Sequence, residues 1–333
     1  MHPRVDFTAH YLIPPLLRRG ISVWAQNGRF VNNDLTLVHE RLLLDIGAGM
    51  SALKVAAHDI TLIGNSGGGS LAAFYAQQAA RPPGDRLDRT PSGSRIDLAA
   101  ADLPLPDRLA LVAAHPGQGD WLAKAIDPAV VDETDPSLVD PGLDLYDEAN
   151  GLGRGYDEAF VTRYREAQRS RVDRIDAIAR ELIAQRAAPR RAARAAQVII
   201  VHRTDADPRC VDLSLDRSDR AGGSIFGRDP GRSNYGFAGL GRMSTPDAWL
   251  STWSANTSQA ALRLTLPELS IPLMHISYTA DQSVFPSDTQ TARAVAPTLS
   301  RTLDLVADHY GFSTDGSERA AAEPVSDALA DWR

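Results

Sequence analysis

The stretch ITLIGNSGGGSL, residues 60–71, constrains the fold of this chain more than any other feature. Apolar and β-branched residues run directly into a serine set among glycines, and small helix-forming residues follow. Gly64, Ser66 and Gly68 have the G-x-S-x-G spacing, which places a serine on a tight strand-to-helix turn whose unfavourable backbone angles demand small neighbours. The pattern therefore predicts that Ser66 projects its hydroxyl above the end of a strand, where it can act as a nucleophile.

A glycine-rich turn of this kind can also bind the pyrophosphate of a dinucleotide. That motif, G-x-G-x-x-G, needs glycine where Ser66 stands, and no acidic residue ends a second strand about 20 residues further on. The dinucleotide interpretation therefore fails in detail.

Strand candidates alternate with helical patterns along the chain, which is typical of a mostly parallel sheet covered by helices on both faces. The candidates are residues 20–25, 60–63, 108–113, 272–277 and 302–306. Apolar residues at helical intervals between the first two predict a crossover helix over residues 37–53. The fold class expected from this order is α/β.

The alternation stops after the third strand candidate. We expect residues 116–255 to form a cap or lid inserted into a core made of residues 1–115 and 256–333. The cap contains a long amphipathic helix over residues 156–187. This helix could mediate a homodimer, but its apolar stripe is better explained by packing within the cap.

Two more stretches of the cap are informative. VIIVHR, residues 198–203, is a further strand candidate, and the basic run at residues 186–196 is interpreted as a solvated helix end and linker. Aromatic side chains of the cap suggest an apolar substrate, although packing of the cap onto the core explains them equally well. These residues are Phe226, Tyr235, Phe237, Trp249 and Trp253.

Composition narrows the class of partner. The net charge of -7 gives no reason to expect nucleic acid, whose phosphates demand a basic surface. One cysteine, Cys210, rules out an internal disulfide framework and a cysteine-based zinc site. No leader-like apolar segment opens the sequence and no long apolar run follows. We therefore expect a cytoplasmic protein that acts on a small molecule, without membrane contact.

A serine hydroxyl becomes a good nucleophile only when a base accepts its proton and a third group orients that base. Asp281 comes just after the strand candidate 272–277, and His309 just after 302–306. Because the carboxyl ends of parallel strands lie along one edge of a sheet, Ser66, Asp281 and His309 should converge there.

Each partner of the serine has competitors. Asp288 is a second candidate for the acid, but Asp281 follows its strand more closely. His115 and His202 also follow strand candidates, yet both precede the acid in the sequence, so His309 is favoured as the base.

With serine, acid and histidine in this chain order, the sequence resembles the α/β-hydrolase family. The likeness covers residues 2–80, 108–115 and 270–333, and the insertion lies where that family carries its variable cap. The resemblance implies an acyl hydrolase without a cofactor, in which Ser66 is the nucleophile, His309 the general acid and base, and Asp281 the orienting carboxylate.

The resemblance also implies an oxyanion hole formed by two backbone N–H groups. The first is the N–H of Gly67, after the nucleophile, and the second lies in a loop that His2-Pro3-Arg4-Val5 matches best. Since proline has no N–H, Arg4 or Val5 must donate, and Arg4 is our choice.

If that loop is matched correctly, the family's strand before it and two earlier strands should precede Met1. We therefore expect N-terminal strands to be missing, by some 50 to 70 residues at usual strand and loop lengths, with a gap between residues 20–25 and 60–63. Otherwise another segment, such as residues 198–203, fills the gap, or the strand assignment is wrong.

Together these features predict a serine hydrolase that cleaves a carboxylic ester or lactone of an apolar small molecule. Two alternatives stay open. The same three residues could transfer the acyl group to an alcohol or thiol, or the scaffold could hold a ligand under its cap without catalysis.

Overall fold

A computed structural model describes residues 1–186 and 195–332. Numbered in chain order, the strands are β1 (Thr61–Asn65), β2 (Arg108–Val112), β3 (Ile199–Ile200), β4 (Met243–Ser244), β5 (Leu273–Tyr278) and β6 (Leu299–Leu305). The helices are α1 (Ile13–Arg18), α2 (His39–Lys54), α3 (Gly67–Ala80), α4 (Gln118–Ala125), α5 (Glu158–Arg186), α6 (Pro208–Val211), α7 (Pro230–Tyr235), α8 (Pro246–Ala248), α9 (Leu262–Thr265), α10 (Pro286–Ala294) and α11 (Ala322–Ala330).

The main sheet has the order β1-β2-β5-β6, and all its strands are parallel. Four of the five predicted strands are therefore confirmed, although β6 begins earlier than expected. The crossover helix α2, the helix α3 after the serine and the long helix α5 are confirmed as well.

Helices cover both faces of this sheet because its buried strands are apolar on both sides. On one face Ala110, Val112 and Met274 pack against α1 and α11. On the other face Leu109 and Leu111 pack against α3 and α9. The predicted α/β class, a mostly parallel sheet with helices on both faces, is confirmed.

The predicted strand at residues 20–25 is wrong. The segment is extended, and the partly buried Ile21 and Val23 pack on the α1 face of the sheet, whereas Trp24 is exposed. The side-chain amide of Gln26 then donates to the carbonyl oxygen of Asp45 in α2. Alternating burial thus comes from one-sided packing, and no ladder of backbone hydrogen bonds accompanies it in the described residues.

The segment at residues 198–203 does not enter the main sheet either. It contributes β3, which pairs antiparallel with β4 in a separate two-stranded sheet. Within the described ranges β1 pairs with β2 alone, so it is an edge strand.

The region between residues 116 and 255 shares a hydrophobic core with the rest of the chain. Val172 and Ile175 of α5 and the buried Trp249 and Trp253 join Leu42 of α2 in one cluster. Most of the basic run at residues 186–196 lies outside the described residues. Where the structure describes the chain, no helix has both the length and the apolar character needed to cross a bilayer.

Candidate active site

Ser66 lies at the turn between β1 and α3, with φ of 56° and ψ of -130°. A residue other than glycine in this region of backbone space is strained by about 1–3 kcal/mol, and such strain is common at functional sites. Backbone hydrogen bonds hold the turn in place. The Ser66 N–H donates to the carbonyl oxygen of Val112, and the Ser66 carbonyl oxygen accepts from the N–H groups of Gly69 and His115. The sequence motif therefore folds as the strand-to-helix turn that it predicts.

Small neighbours are necessary because β1 and α3 approach each other closely at this turn. A Cβ atom on Gly64 would lie 2.6 Å from the Cα of Gly69, and one on Gly69 would lie 2.3 Å from the Cβ of Ala114. Either distance is too short for real atoms, so larger residues would push the turn apart and move the serine.

Ser66, His309 and Asp281 form one continuous chain of hydrogen bonds. The Ser66 Oγ is 2.9 Å from the His309 Nε2, and the His309 Nδ1 is 2.8 Å from the Asp281 Oδ2. The other carboxylate oxygen accepts the backbone N–H groups of Ser283 and Val284 at 2.6 and 2.9 Å. Because Asp281 accepts at the Nδ1 side, the Nε2 lone pair of a neutral His309 faces the serine hydroxyl.

The electrostatic environment makes His309 a stronger base than an ordinary histidine. Burial acts to lower its pKa, but the charge and hydrogen bond of Asp281 outweigh burial, and the pKa is raised above the usual 6.5. Asp281 and His309 are 1% and 7% exposed, so bulk water screens their interaction little.

The competing acid and base have other partners. Asp288 forms ion pairs with Lys124 and Arg209 and caps the start of α10. His202 is partly buried, and its carbonyl accepts from the Arg171 guanidinium. Among the described residues the Ser66 hydroxyl is instead within reach of His309 and His115.

A second histidine, His115, lies next to both the serine and His309. Its Nε2 is 3.4 Å from the Ser66 Oγ and 2.9 Å from the Ser283 Oγ, which also accepts from the Trp121 indole. The ring stacks between His309 at 5.2 Å and Trp121 at 5.9 Å between centroids. Burial, followed by the nearby His309 and His2, holds the pKa of His115 well below its usual value. His115 is therefore neutral near pH 7.

Ser283 and Trp121 were not identified from the sequence. Each side chain contacts His115, and no local motif marks such a contact. The position of His115 after a strand end was the one available signal for this part of the site.

The two predicted oxyanion donors differ in their surroundings. Gly67 is the first residue of α3, so its N–H has no acceptor within the helix. The N–H of Arg4, by contrast, donates to the His2 Nδ1 at 3.2 Å, and that of Val5 donates to the same atom at 3.0 Å. The structure therefore gives both candidates for the second backbone donor another partner, and it does not direct Arg4 at the serine.

The structure separates the five aromatic residues expected to line a substrate site. Phe226 packs edge-on against Trp121 at 6.4 Å, and Trp121 in turn stacks on His115. Trp249 and Trp253 are buried in the core, Phe237 is fully exposed, and Tyr235 bonds Arg203 and Asp144. Only Phe226 of the five is thus placed beside the residues around Ser66.

No cluster of three or more histidine, cysteine, aspartate or glutamate side chains suited to a metal ion occurs in residues 1–186 and 195–332. The cluster around Ser66 joins a hydroxyl, a histidine and a buried carboxylate in hydrogen-bond contact, and acyl transfer needs groups of these three kinds.

No protein-family model and no curated protein matches the sequence. Solved structures do match. A monoacylglycerol lipase of Paleococcus ferrophilus is 12% identical, with a TM-score of 0.46, and the match covers all of this chain and 90% of that one. The esterase domain of a Rhodothermus marinus protein is 12% identical, with a TM-score of 0.42 and coverage of 97% and 79%. A bromoperoxidase of Bacillus anthracis is 14% identical, with a TM-score of 0.40 and coverage of 98% and 87%.

The three site residues stand after strands of the parallel sheet, in the order that the sequence predicts. The parallel sheet is confirmed, the serine turn follows β1, and the acid and histidine follow β5 and β6. The chain is therefore similar to the α/β hydrolases in fold as well as in the order of these three residues.

Proposed function

We propose that this protein is a serine hydrolase that cleaves a carboxylic ester or lactone of an apolar small molecule through an acyl-enzyme on Ser66. The observation that carries the proposal is the unbroken hydrogen-bonded chain from Ser66 through His309 to Asp281, built on a strained turn. A histidine whose pKa is raised by a buried carboxylate is the base that a serine nucleophile requires.

In the first half of the reaction the Ser66 Oγ attacks the carbonyl carbon, and its proton passes to the His309 Nε2. The charged ring is stabilised by Asp281, whose carboxylate is fixed by two backbone N–H groups. The tetrahedral intermediate then collapses, the C–O bond to the alcohol breaks, and the leaving oxygen takes the proton from His309. An ester of Ser66 remains.

In the second half a water molecule attacks this ester while His309 again accepts a proton. Collapse of the second tetrahedral intermediate breaks the bond to the Ser66 Oγ, and His309 returns the proton to that oxygen. The products are a carboxylic acid and the free serine. For a lactone, the alcohol and acid groups stay on one molecule.

We propose further that residues 116–255 act as a cap over this chemistry. Trp121 and Phe226 belong to this region and pack beside His115, while the Tyr310 hydroxyl, next to the base, donates to the carbonyl of Ile225. Such contacts would give the acyl site an apolar wall and limit the access of water.

The test is the hydrolysis of p-nitrophenyl acetate, butyrate and hexanoate by the purified full chain, compared with Ser66→Ala. We expect kcat/KM for the variant to fall by roughly 10⁴-fold or more. Ser326→Ala is the matched control, because Ser326 is also buried but its hydroxyl bonds its own helix α11. Esterase activity that survives in Ser66→Ala, or a folded wild type inactive on all three esters and on a lactone series, would contradict the proposal.

A further inference from the structure

We infer that the imidazole of His2, through its Nε2–H, supplies the second hydrogen bond to the oxyanion, in place of a backbone N–H of Arg4 or Val5. The inference rests on the proposed function, because it assigns the donor for the same reaction at Ser66. In this assignment the Arg4 and Val5 N–H groups orient the His2 ring and do not themselves bind the oxyanion.

The hydrogen bonds of the ring determine which nitrogen carries the proton. Two backbone N–H groups, those of Arg4 and Val5, point at the His2 Nδ1 from 3.2 and 3.0 Å. An Nδ1 that accepts hydrogen bonds has a lone pair and no proton, so a doubly protonated ring and the other neutral tautomer are both excluded. The remaining form of His2 is neutral with its proton on Nε2.

The ring stays in this form at physiological pH. Burial, followed by the positive charge of Arg4, holds the pKa of His2 well below the usual 6.5, and no carboxylate counteracts these effects. The side chain is only 7% exposed, and Phe7 packs against the ring with 4.9 Å between centroids. His2 can therefore donate a hydrogen bond in every reaction cycle while its own protonation state stays the same.

The Nε2 of His2 lies beside the residue that provides the first donor. A Cβ atom placed on Gly67 would be 3.1 Å from this nitrogen, and one placed on Gly68 would be 2.8 Å from the carbonyl oxygen of Met1. The N-terminal segment thus lies on the first turn of α3. The Nε2–H of His2 therefore lies beside Gly67, the residue that directly follows the serine and begins α3.

This arrangement has the properties of an oxyanion hole. Its two donors are fixed before the reaction, one by the start of a helix and one by the backbone hydrogen bonds to Nδ1. Both are neutral groups in a buried site, where a developing negative charge is stabilised more strongly than in water. Gly67 has no side chain to fill the space between them.

Gln118 is the rival donor. Its Nε2 is buried without a partner among the described residues and would be 2.9 Å from the same Cβ position on Gly67. The Gln118 Oε1 accepts one hydrogen bond from the Ser70 Oγ, at 3.5 Å, so this amide is oriented less firmly than the His2 ring, whose proton is fixed by two donors on the opposite nitrogen. The structure therefore favours His2.

Two substitutions separate the acceptor from the donor. The Oδ1 of His2→Asn falls near the position of Nδ1, so it can still accept the Arg4 and Val5 N–H groups, but the Nε2–H is lost. His2→Gln places an amide N–H near Nε2 and loses the acceptor. We expect His2→Asn to lower kcat for p-nitrophenyl butyrate by about 100-fold or more with little change in KM. His2→Gln should retain more activity than His2→Asn, although a merely structural role for Nδ1 would give the opposite order.

A second measurement reports on the oxyanion directly. An alkyl trifluoromethyl ketone should form a hemiketal with Ser66, and the inhibition constant should rise in His2→Asn by about the same factor as kcat/KM falls. The matched control is His10→Asn, because His10 lies in the same segment and its Nε2 contacts Asn65 rather than Gly67. Circular dichroism and thermal unfolding show whether each variant is folded.

The outcomes distinguish the two claims. If the folded wild type forms no ketone adduct, the proposed function fails and the inference fails with it. If the wild type forms the adduct and folded His2→Asn matches it in kcat and in ketone affinity, the proposed function stands and the inference is overturned. A loss in Gln118→Leu with none in His2→Asn would overturn it in favour of Gln118.

Discussion

The histidines around the serine turn are similarly buried and differ in electrostatic character. His309 is bonded to the carboxylate of Asp281, and its pKa is raised. His2 and His115, by contrast, have no carboxylate among the groups that shift them, and the pKa of each is well below the usual value. All three rings are less than a tenth exposed.

The difference shows that burial alone does not decide what a histidine does. Burial disfavours the charged ring in every case, and only a fixed carboxylate reverses that preference. The paired histidine can hold a proton during the reaction, which suits a base. The unpaired histidines stay neutral, which suits hydrogen bonding and packing.

Of the substitutions that test this comparison, Asp281→Asn should lower kcat the most. It removes the charge that raises the pKa of His309 and allows the ring to adopt the wrong tautomer, so kcat should fall by about 10⁴-fold. Initial rates on p-nitrophenyl butyrate measure the loss. Asp288→Asn is the matched control, since Asp288 pairs with Lys124 and Arg209. An equal loss in a folded Asp288→Asn protein would show that the acid is misassigned.

The next largest change in activity should appear when the pH is lowered. His309 must be neutral to accept the serine proton, so activity is present above its pKa and falls tenfold per pH unit below it. Because that pKa is raised, the acid limb should have its midpoint above 6.5. The residual activity of Asp281→Asn should have its midpoint at lower pH, because burial remains and the charge is gone. A wild-type midpoint below 6.5 would contradict the pairing.

The substitution His115→Phe should change activity less. Phenylalanine keeps the stack between His309 and Trp121 and removes the hydrogen bond to Ser283, so kcat/KM should stay within about tenfold of the wild type. Steady-state kinetics on the same ester measure the change. A loss as large as that of His309→Phe would mean that His115, and not His309, is the base.

The substitution Phe226→Ala should have the smallest effect, and it tests whether the aromatic residues beside the neutral His115 form the apolar wall. Removal of the ring beside Trp121 should raise KM for p-nitrophenyl hexanoate roughly fivefold and leave that for the acetate nearly unchanged. Phe237→Ala is the control, because this ring is fully exposed. Equal changes for both esters would place the acyl chain elsewhere.

The parts of the molecule that the sequence predicted well depend on local patterns. β-Branched residues, glycines and helix formers around Ser66 specify the turn within a few positions, β5 is recognisable as a largely apolar run, and β6 as a strand whose leucines alternate with polar residues. Because parallel strands end at one edge, Asp281 and His309 could be expected to meet Ser66. The structure brings these side chains within hydrogen-bond distance, and their catalytic role stays a proposal.

Features that depend on contacts between distant segments could not be predicted in this way. The alternation at residues 20–25 reports one-sided packing, which looks the same in a strand and in an unpaired extended segment. Aromatic residues are equally suited to a core and to a binding wall, so Trp249 could not be assigned to the core from its type alone. The partner of the Arg4 N–H is a side-chain nitrogen whose position only the folded loop defines.

The most direct test of an activated serine is covalent labelling. The folded full chain is treated with a fluorophosphonate, from which an activated serine displaces fluoride, and the adduct is mapped by mass spectrometry in the wild type and in Ser66→Ala. We predict a single adduct on Ser66 in the wild type and none in the variant. A folded wild type that stays unlabelled, or a label that persists in Ser66→Ala, would contradict the assignment of Ser66 as the nucleophile.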